Sequence, residues 1–164
     1  MNTDNKICVV STMNAQVGIT LPDLRLNKSW PKKGTKIFIE KDVLEEAMYD
    51  PGVKYMFDEG ILYIEDMKEK INLGLEPEGA TEPQNIIVLS DMQMTRYLKI
   101  SPISELEDVL KKISHEQRIN MANFAIAQTI GDRDKCDLLY KYSGINVDKA
   151  IELNRSMAKD NETK

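Results

Sequence analysis

The first part of the chain alternates apolar and polar residues over short runs, which is typical of half-buried strands. Such runs occupy residues 7–10, 17–21, 24–26, 35–40 and 61–64. Pro22-Asp23 and the Pro31–Gly34 segment separate successive runs, and both have the composition of bends. The pattern predicts three to five short strands within residues 1–75.

Helical spacing interrupts these strands. Asp42 is placed to cap a helix that continues to Tyr49, where Asp50-Pro51-Gly52 ends it. A second short helix fits residues 53–59, with Gly60 as its stop, and residues 66–73 have helical composition. The first part is therefore predicted to be an α+β unit, in which one or two helices pack on the strands.

The second part of the chain has the periodicity of helices, with apolar residues recurring every three or four positions. Asp91 and Asp132 are candidate caps, and Ser104 with Glu107 forms a capping box. Four or five short helices are predicted, at residues 92–99, 104–113, 115–130, 132–142 and 147–158. The apolar run Ile86-Ile87-Val88-Leu89 fits either a strand or a helix.

A glycine- and proline-containing segment rich in glutamate divides the two parts. We predict an α+β unit at residues 1–75, an acidic linker at 76–84, a helical subdomain at 85–158 and a frayed tail at 159–164. Residues 1–95 carry ten Lys and Arg against sixteen Asp and Glu, whereas residues 96–164 carry twelve against eleven. The acidity of the chain, which has a net charge of −5, therefore belongs to its first part.

Composition excludes several classes of protein. With 41% hydrophobic residues the chain can bury a core, so it is not wholly disordered. No apolar run reaches the roughly 18 residues of a membrane span, and Met1–Lys6 is too polar for a signal peptide. The net negative charge argues against a general polyanion binder. The cytoplasm is the expected location.

The residues that usually carry catalysis are scarce. His115 is the single histidine, and its setting beside Ser114 is that of a helix start. Cys8 and Cys136 lie in apolar patterns typical of core thiols. Acidic pairs such as Glu45-Glu46 could hold a divalent metal, yet they are more typical of a solvated face. We predict no catalytic, metal or cofactor site and no enzyme.

Two helices around a glycine turn suggest an alternative function. Residues 135–142, a turn at Ser143–Asn146 and residues 147–158 have the layout of a helix-turn-helix. In a DNA-binding regulator of that kind, Lys149, Asn154 and Arg155 would contact the duplex. The second helix also carries acidic residues and lacks a basic cluster, so an ordinary helical bundle explains the layout better.

Large apolar side chains exceed what two small subdomains are expected to bury. The chain has nine methionines and ten aromatic residues. We predict that some of them contact other protein subunits, since apolar surface on a soluble chain usually marks an interface. The residues chosen for this interface are Trp30, Tyr55, Met56 and Phe57, with Tyr140 and Tyr142 second.

The turn and core residues of the first part resemble those of a known class. The resemblance covers about residues 7–65 and is carried by Gly18, Leu21, Asp23, Leu24, Pro31–Gly34, Ile37, Ile39, Val43-Leu44, Asp50–Val53, Gly60–Leu62 and Ile64. In these residues the chain resembles small virion-associated proteins of tailed bacteriophages. The resemblance implies a structural component of a capsid, neck or tail, made in a bacterial host and incorporated into a virion, and it assigns no catalytic or binding residue.

The leading hypothesis is therefore a non-enzymatic assembly protein, part of a homo- or hetero-oligomeric assembly, that docks through apolar and aromatic surface onto a larger multi-subunit particle. The helix-turn-helix regulator is the alternative.

Overall fold

The computed structural model describes residues 5–162 and the side chains of residues 5–159. Strands and helices alternate in the first half and helices alone follow in the second, so the predicted α+β class is confirmed. The chain divides into two compact units, of which the first ends at Val88 and the second begins at Leu89.

Five strands in the first unit form two small antiparallel sheets. One sheet contains β1 (Lys6–Ser11), β4 (Lys36–Glu40) and β5 (Leu62–Tyr63) in the order β4-β1-β5. The other is a hairpin of β2 (Val17–Leu21) and β3 (Leu26–Trp30), joined by one turn of 3-10 helix. Strands were predicted near all five positions, but the third lies later in the chain than the predicted 24–26.

Three helices accompany the strands: α1 (Lys41–Ala47), α2 (Pro51–Asp58) and α3 (Met67–Asn72). The Asp50 carboxylate accepts hydrogen bonds from the N–H groups of Gly52 and Val53, and so begins α2. Asp50 thus both separates α1 from α2 and caps the second helix.

Two residues predicted for a surface interface are core residues instead. The exposed fraction of Trp30 is 0% and that of Phe57 is 1%. The Trp30 indole N–H donates to the carbonyl oxygen of Val9 at 3.0 Å, so its polar atom is satisfied inside the protein. The prediction that Trp30 and Phe57 contact a partner is wrong, because both rings are buried in the core between the strands and helices of the first unit.

The predicted linker packs onto the first unit. Glu76 is 3% exposed, and its carboxylate accepts hydrogen bonds from the backbone N–H groups of Gln84, Asn85 and Ile86 at 2.9–3.0 Å. Leu75 and Ile86, at the two ends of this segment, join the core. The first unit therefore runs to Val88, not to residue 75, and Ile86–Leu89 is neither strand nor helix.

The second unit consists of five helices. They are α4 (Asp91–Lys99), α5 (Ile103–Lys112), α6 (His115–Ala127), α7 (Arg133–Ser143) and α8 (Val147–Glu162). Their buried faces supply Leu98, Leu106, Met121, Leu139 and Val147 to one core. The last helix continues through the predicted tail, of which residues 163–164 lie outside the described part of the chain.

Helix starts in this unit match the predicted caps in part. Asp132 accepts hydrogen bonds at the start of α7, as predicted. The capping box of α4 is formed by Ser90 and Gln93, so Asp91 is the first helical residue and not the cap. The helix α5 begins at Ile103, one residue before Ser104, with Pro102 at the cap position.

Candidate protein-interaction surface

The end of α2 fixes the position of two apolar side chains. Gly60 has a φ of 73°, a left-handed conformation that glycine adopts readily. The N–H of Ile61 donates to the carbonyl of Met56 at 2.8 Å, and that of Gly60 donates to the carbonyl of Phe57 at 3.2 Å. This pair of bonds defines a Schellman motif, which commonly brings the side chains at the Met56 and Ile61 positions together.

The chain beyond β1 is bonded to the same turn. The Thr12 N–H donates to the carbonyl of Ile61 at 3.0 Å, and the Thr12 hydroxyl donates to the carbonyl of Gly60 at 2.6 Å. Thr12 is itself buried. Because these bonds hold residue 12 against the end of α2, the next residue, Met13, lies beside Met56 and Ile61.

Together these segments form an open apolar depression of about 330 Å³. We call it the Tyr55 patch. Its side chains are Met13, Ala15, Gln16, Val17, Tyr55, Met56 and Ile61, and the backbone of Gly18 completes it. Half of the Tyr55 side chain is exposed, at 50%. The patch carries no charged side chain among its described lining residues, which sets it apart from the rest of an acidic unit.

Two of the four residues first predicted for the interface therefore lie together on the surface. Tyr55 and Met56 belong to the patch, whereas Phe57, the next residue on α2, points into the core. Successive helix residues are turned by about 100° around the axis, so three consecutive apolar residues cannot all share one face.

Sequence reasoning missed the other members of the patch. Met13 and Val17 come from a different segment, and their proximity to α2 depends on the long-range bonds of Thr12. For Ile61 a signal was available, since a glycine that ends a helix is often followed by an apolar residue packed on the last turn.

Tyr140 and Tyr142, the second predicted pair, have different surroundings on α7. Tyr140 is 57% exposed. Tyr142 is half-buried, and the charged groups of Arg118 and Lys141 lie 5.4 and 5.3 Å from the centre of its ring. Residues two apart on a helix do not share a face, so the two tyrosines do not form one surface.

The residues proposed for DNA contact lie on α8. Lys149, Asn154 and Arg155 are all exposed. Gly144 adopts the left-handed conformation at the end of α7, and Asn146 accepts a hydrogen bond from the N–H of Lys149. Two tight helix ends thus enclose the turn.

The exposed side of α8 is not basic. Asp148 and Glu152 alternate with its basic residues, and Leu153 and Met157, four residues apart, are both more than half exposed. Binding to phosphates favours clustered lysine or arginine, which this mixture does not provide.

Groups with catalytic potential are dispersed. His115 is an exposed first residue of α6, next to the cap Ser114. Burial, together with a hydrogen bond to Asp148, raises the pKa of the Cys136 thiol to about 12, so this thiol stays protonated at neutral pH. Among the side chains of residues 5–159, no three His, Cys, Asp or Glu groups are arranged to hold a metal ion.

No helix in the described part of the chain combines the length and the apolar character needed to cross a membrane.

The chain matches no protein-family model, no curated protein and no solved structure at a significant level. The functional inference therefore depends on the chain's own surfaces.

Proposed function

We propose that this protein is a non-enzymatic assembly protein, which docks onto a larger multi-subunit particle through the Tyr55 patch. The observation that carries the proposal is the grouping of Tyr55, Met56, Met13 and Ile61 in one uncharged surface depression. Tyrosine and methionine are enriched in the buried centres of protein interfaces, whereas charged residues are depleted there.

The hydrogen bonds beneath the patch support this role. Thr12 and Gly60 hold the backbone on both sides, so the apolar side chains keep their positions before a partner arrives. Preorganisation of this kind lowers the entropic cost of association. When a central tyrosine is a hot spot of a desolvated interface, its truncation weakens binding by about 2 kcal/mol or more.

The kind of particle is inferred only from the sequence resemblance. The segment that resembles virion-associated proteins of tailed bacteriophages, residues 7–65, includes all the lining residues of the patch. We therefore propose a capsid, neck or tail component that is made in the cytoplasm of a bacterial host and incorporated into a virion, with other protein subunits as its partners.

Light scattering coupled to size-exclusion chromatography tests the docking role. We expect the full chain at micromolar concentration to form species heavier than its 18.7 kDa monomer, and Tyr55→Glu to weaken this association at least about tenfold, the equivalent of 1.4 kcal/mol. Tyr49→Glu is the matched control, because Tyr49 is 85% exposed and lies outside the patch. A chain that stays monomeric and captures no partner in cells would contradict the proposal.

The helix-turn-helix alternative is supported by the glycine turn between α7 and α8. It predicts binding to duplex DNA that weakens as salt rises and is lost in Arg155→Glu. Fluorescence anisotropy with a labelled duplex at low ionic strength measures both effects. If no binding is detected there, the alternative is excluded, and the Tyr55→Glu result is unaffected.

A further inference from the structure

Positive charge in the first unit is concentrated in one segment. The segment from Arg25 to Ile39, both included, has five basic residues and no Asp or Glu, although residues 1–88 as a whole have ten basic and fifteen acidic residues. The segment includes β3, the following turn and β4 up to Ile39, and Glu40 is the last residue of β4. Two consecutive strands therefore display cations on an otherwise acidic unit.

These two strands do not pair with each other. In a regular hairpin with the turn at residues 31–35, Lys28 would face Phe38, but β3 pairs with β2 and β4 pairs with β1. A groove of about 300 Å³ lies between the start of β3 and the end of β4, and we call it the β3–β4 groove. Leu26 and Phe38 supply apolar walls, and Phe38 is 54% exposed.

The outer edge of β4 faces away from β1. The N–H of Ser11 donates to the carbonyl of Thr35, whereas the N–H of Thr12 donates to Ile61, beside β5. The backbone N–H and C=O groups of successive residues in an antiparallel strand point to opposite sides. The backbone groups of Val9 and Ile7 therefore point toward their β4 partners, Ile37 and Ile39. It follows that the N–H and C=O of Phe38 point outward, away from β1.

The charges that line the groove have mainly one sign. Lys6, Arg25 and Lys28 lie along it, and Glu40 is the one acid among its described lining residues. Arg25 has a φ of 52°, a left-handed conformation that carries an energetic cost for a residue other than glycine. A glycine would relieve that cost, so the arginine at this position is a candidate for a role outside folding.

We propose that the β3–β4 groove binds an extended acidic segment of a partner protein. The segment adds as a strand to the edge of β4 and pairs with the backbone of Phe38. Its carboxylates contact Arg25 and Lys28, and an alternate apolar side chain packs on the Phe38 ring. Strand addition of this kind takes affinity from main-chain bonds and specificity from side-chain sites.

The net charge of the unit favours a short acidic peptide over nucleic acid as the occupant. A DNA duplex is much larger than a 300 Å³ groove, so most of its phosphates would lie outside it. The acidic residues of the rest of the unit would repel those phosphates. This inference does not depend on the Tyr55 patch, since the two surfaces share no lining residue.

Fluorescence anisotropy with a labelled, end-capped peptide of alternating glutamate and valine tests the proposal on the full chain. We expect binding that Arg25→Gly and Lys28→Glu each weaken at least about tenfold. Arg25→Gly should fold at least as stably as the wild type, because it removes the left-handed arginine, so its weaker binding cannot be ascribed to unfolding. Lys54→Gln, which changes a lysine outside the groove, and Tyr55→Glu should bind normally.

Three comparison ligands decide the mode of binding. The lysine–valine counterpart should not bind, and an acidic peptide with proline in place of valine should bind at least tenfold more weakly, because proline cannot donate to a strand. The proposal is overturned if the glutamate–valine peptide fails to bind or the proline peptide binds equally well. It is also overturned if duplex DNA competes for the same site, since that result would indicate a phosphate site.

Discussion

At the scale of single residues, Glu76 has the clearest energetic role. Three backbone N–H groups point at one buried carboxylate, and they close the segment from residue 76 to residue 86 onto the first unit. Burial by itself raises the pKa of this carboxyl. The N–H groups of Asn85, Ile86 and Gln84, together with Lys70, lower the pKa by more than burial raises it, so the net pKa lies below its ordinary value of 4.5.

Glu76→Gln tests this role. We expect a loss of about 2–3 kcal/mol in the free energy of unfolding, since an amide can accept fewer of these bonds and lacks the charge. Glu78→Gln, an exposed neighbour, should change little. The measurement is urea denaturation of both variants and the wild type at neutral pH.

The pH dependence of this difference has a defined sign. A carboxyl whose pKa is lowered by folding stabilises the protein above its unfolded pKa, and this contribution is lost as the pH falls through the folded pKa. The stability gap between wild type and Glu76→Gln should therefore be constant above about pH 5 and shrink as the pH drops below 4.5. A gap that grows in acid would contradict the assignment.

Residue-scale predictions from sequence failed where packing decides. Trp30, Tyr55, Met56 and Phe57 have similar local signals, yet two are buried and two are not. The helix phase separates Phe57 from its neighbours. The burial of Trp30 depends on its bond to Val9, 21 positions away, which no local pattern indicates.

At the scale of elements, the turn at Gly60 connects helix termination to the interaction surface. Gly60→Ala places a Cβ in a left-handed conformation, and we expect a loss of about 1 kcal/mol in stability. It should also weaken docking, because Met56 and Ile61 would move. Gly131→Ala, at an exposed glycine with open space around it, should leave both unchanged. Thermal unfolding measures the loss of stability, and light scattering measures the loss of association. If Gly60→Ala is less stable but associates as the wild type does, the turn is not needed for docking.

Element positions were largely predictable because the signals are local. Asp132, Gly60 and Gly144 each act within one turn of the chain, and each marks a helix end in the structure. Sheet membership was not predictable, because β3 and β4 are neighbours in sequence but pair with different strands, β2 and β1. The same difference leaves the β3–β4 groove open, so this candidate site could not have been found from sequence alone.

At the scale of the whole molecule, the two-part organisation was anticipated but its boundary was not. The glycines, prolines and glutamates of residues 74–83 have the composition of a linker. In the structure, the buried carboxylate of Glu76 binds this segment to the first unit. Two surfaces on that unit then have distinct chemistry, one apolar and one cationic. An assembly component that contacts more than one neighbour would use such a pair.

Site-specific photo-cross-linking tests the central claim, that the Tyr55 patch docks onto protein, most directly. A benzophenone amino acid is placed at position 55 in one chain and at position 49 in another, and both are illuminated in the cells that make the protein. We predict a discrete heavier adduct, of one subunit or one partner, from position 55 and none from position 49. Equal labelling from both positions, or no adduct from position 55, would contradict the claim.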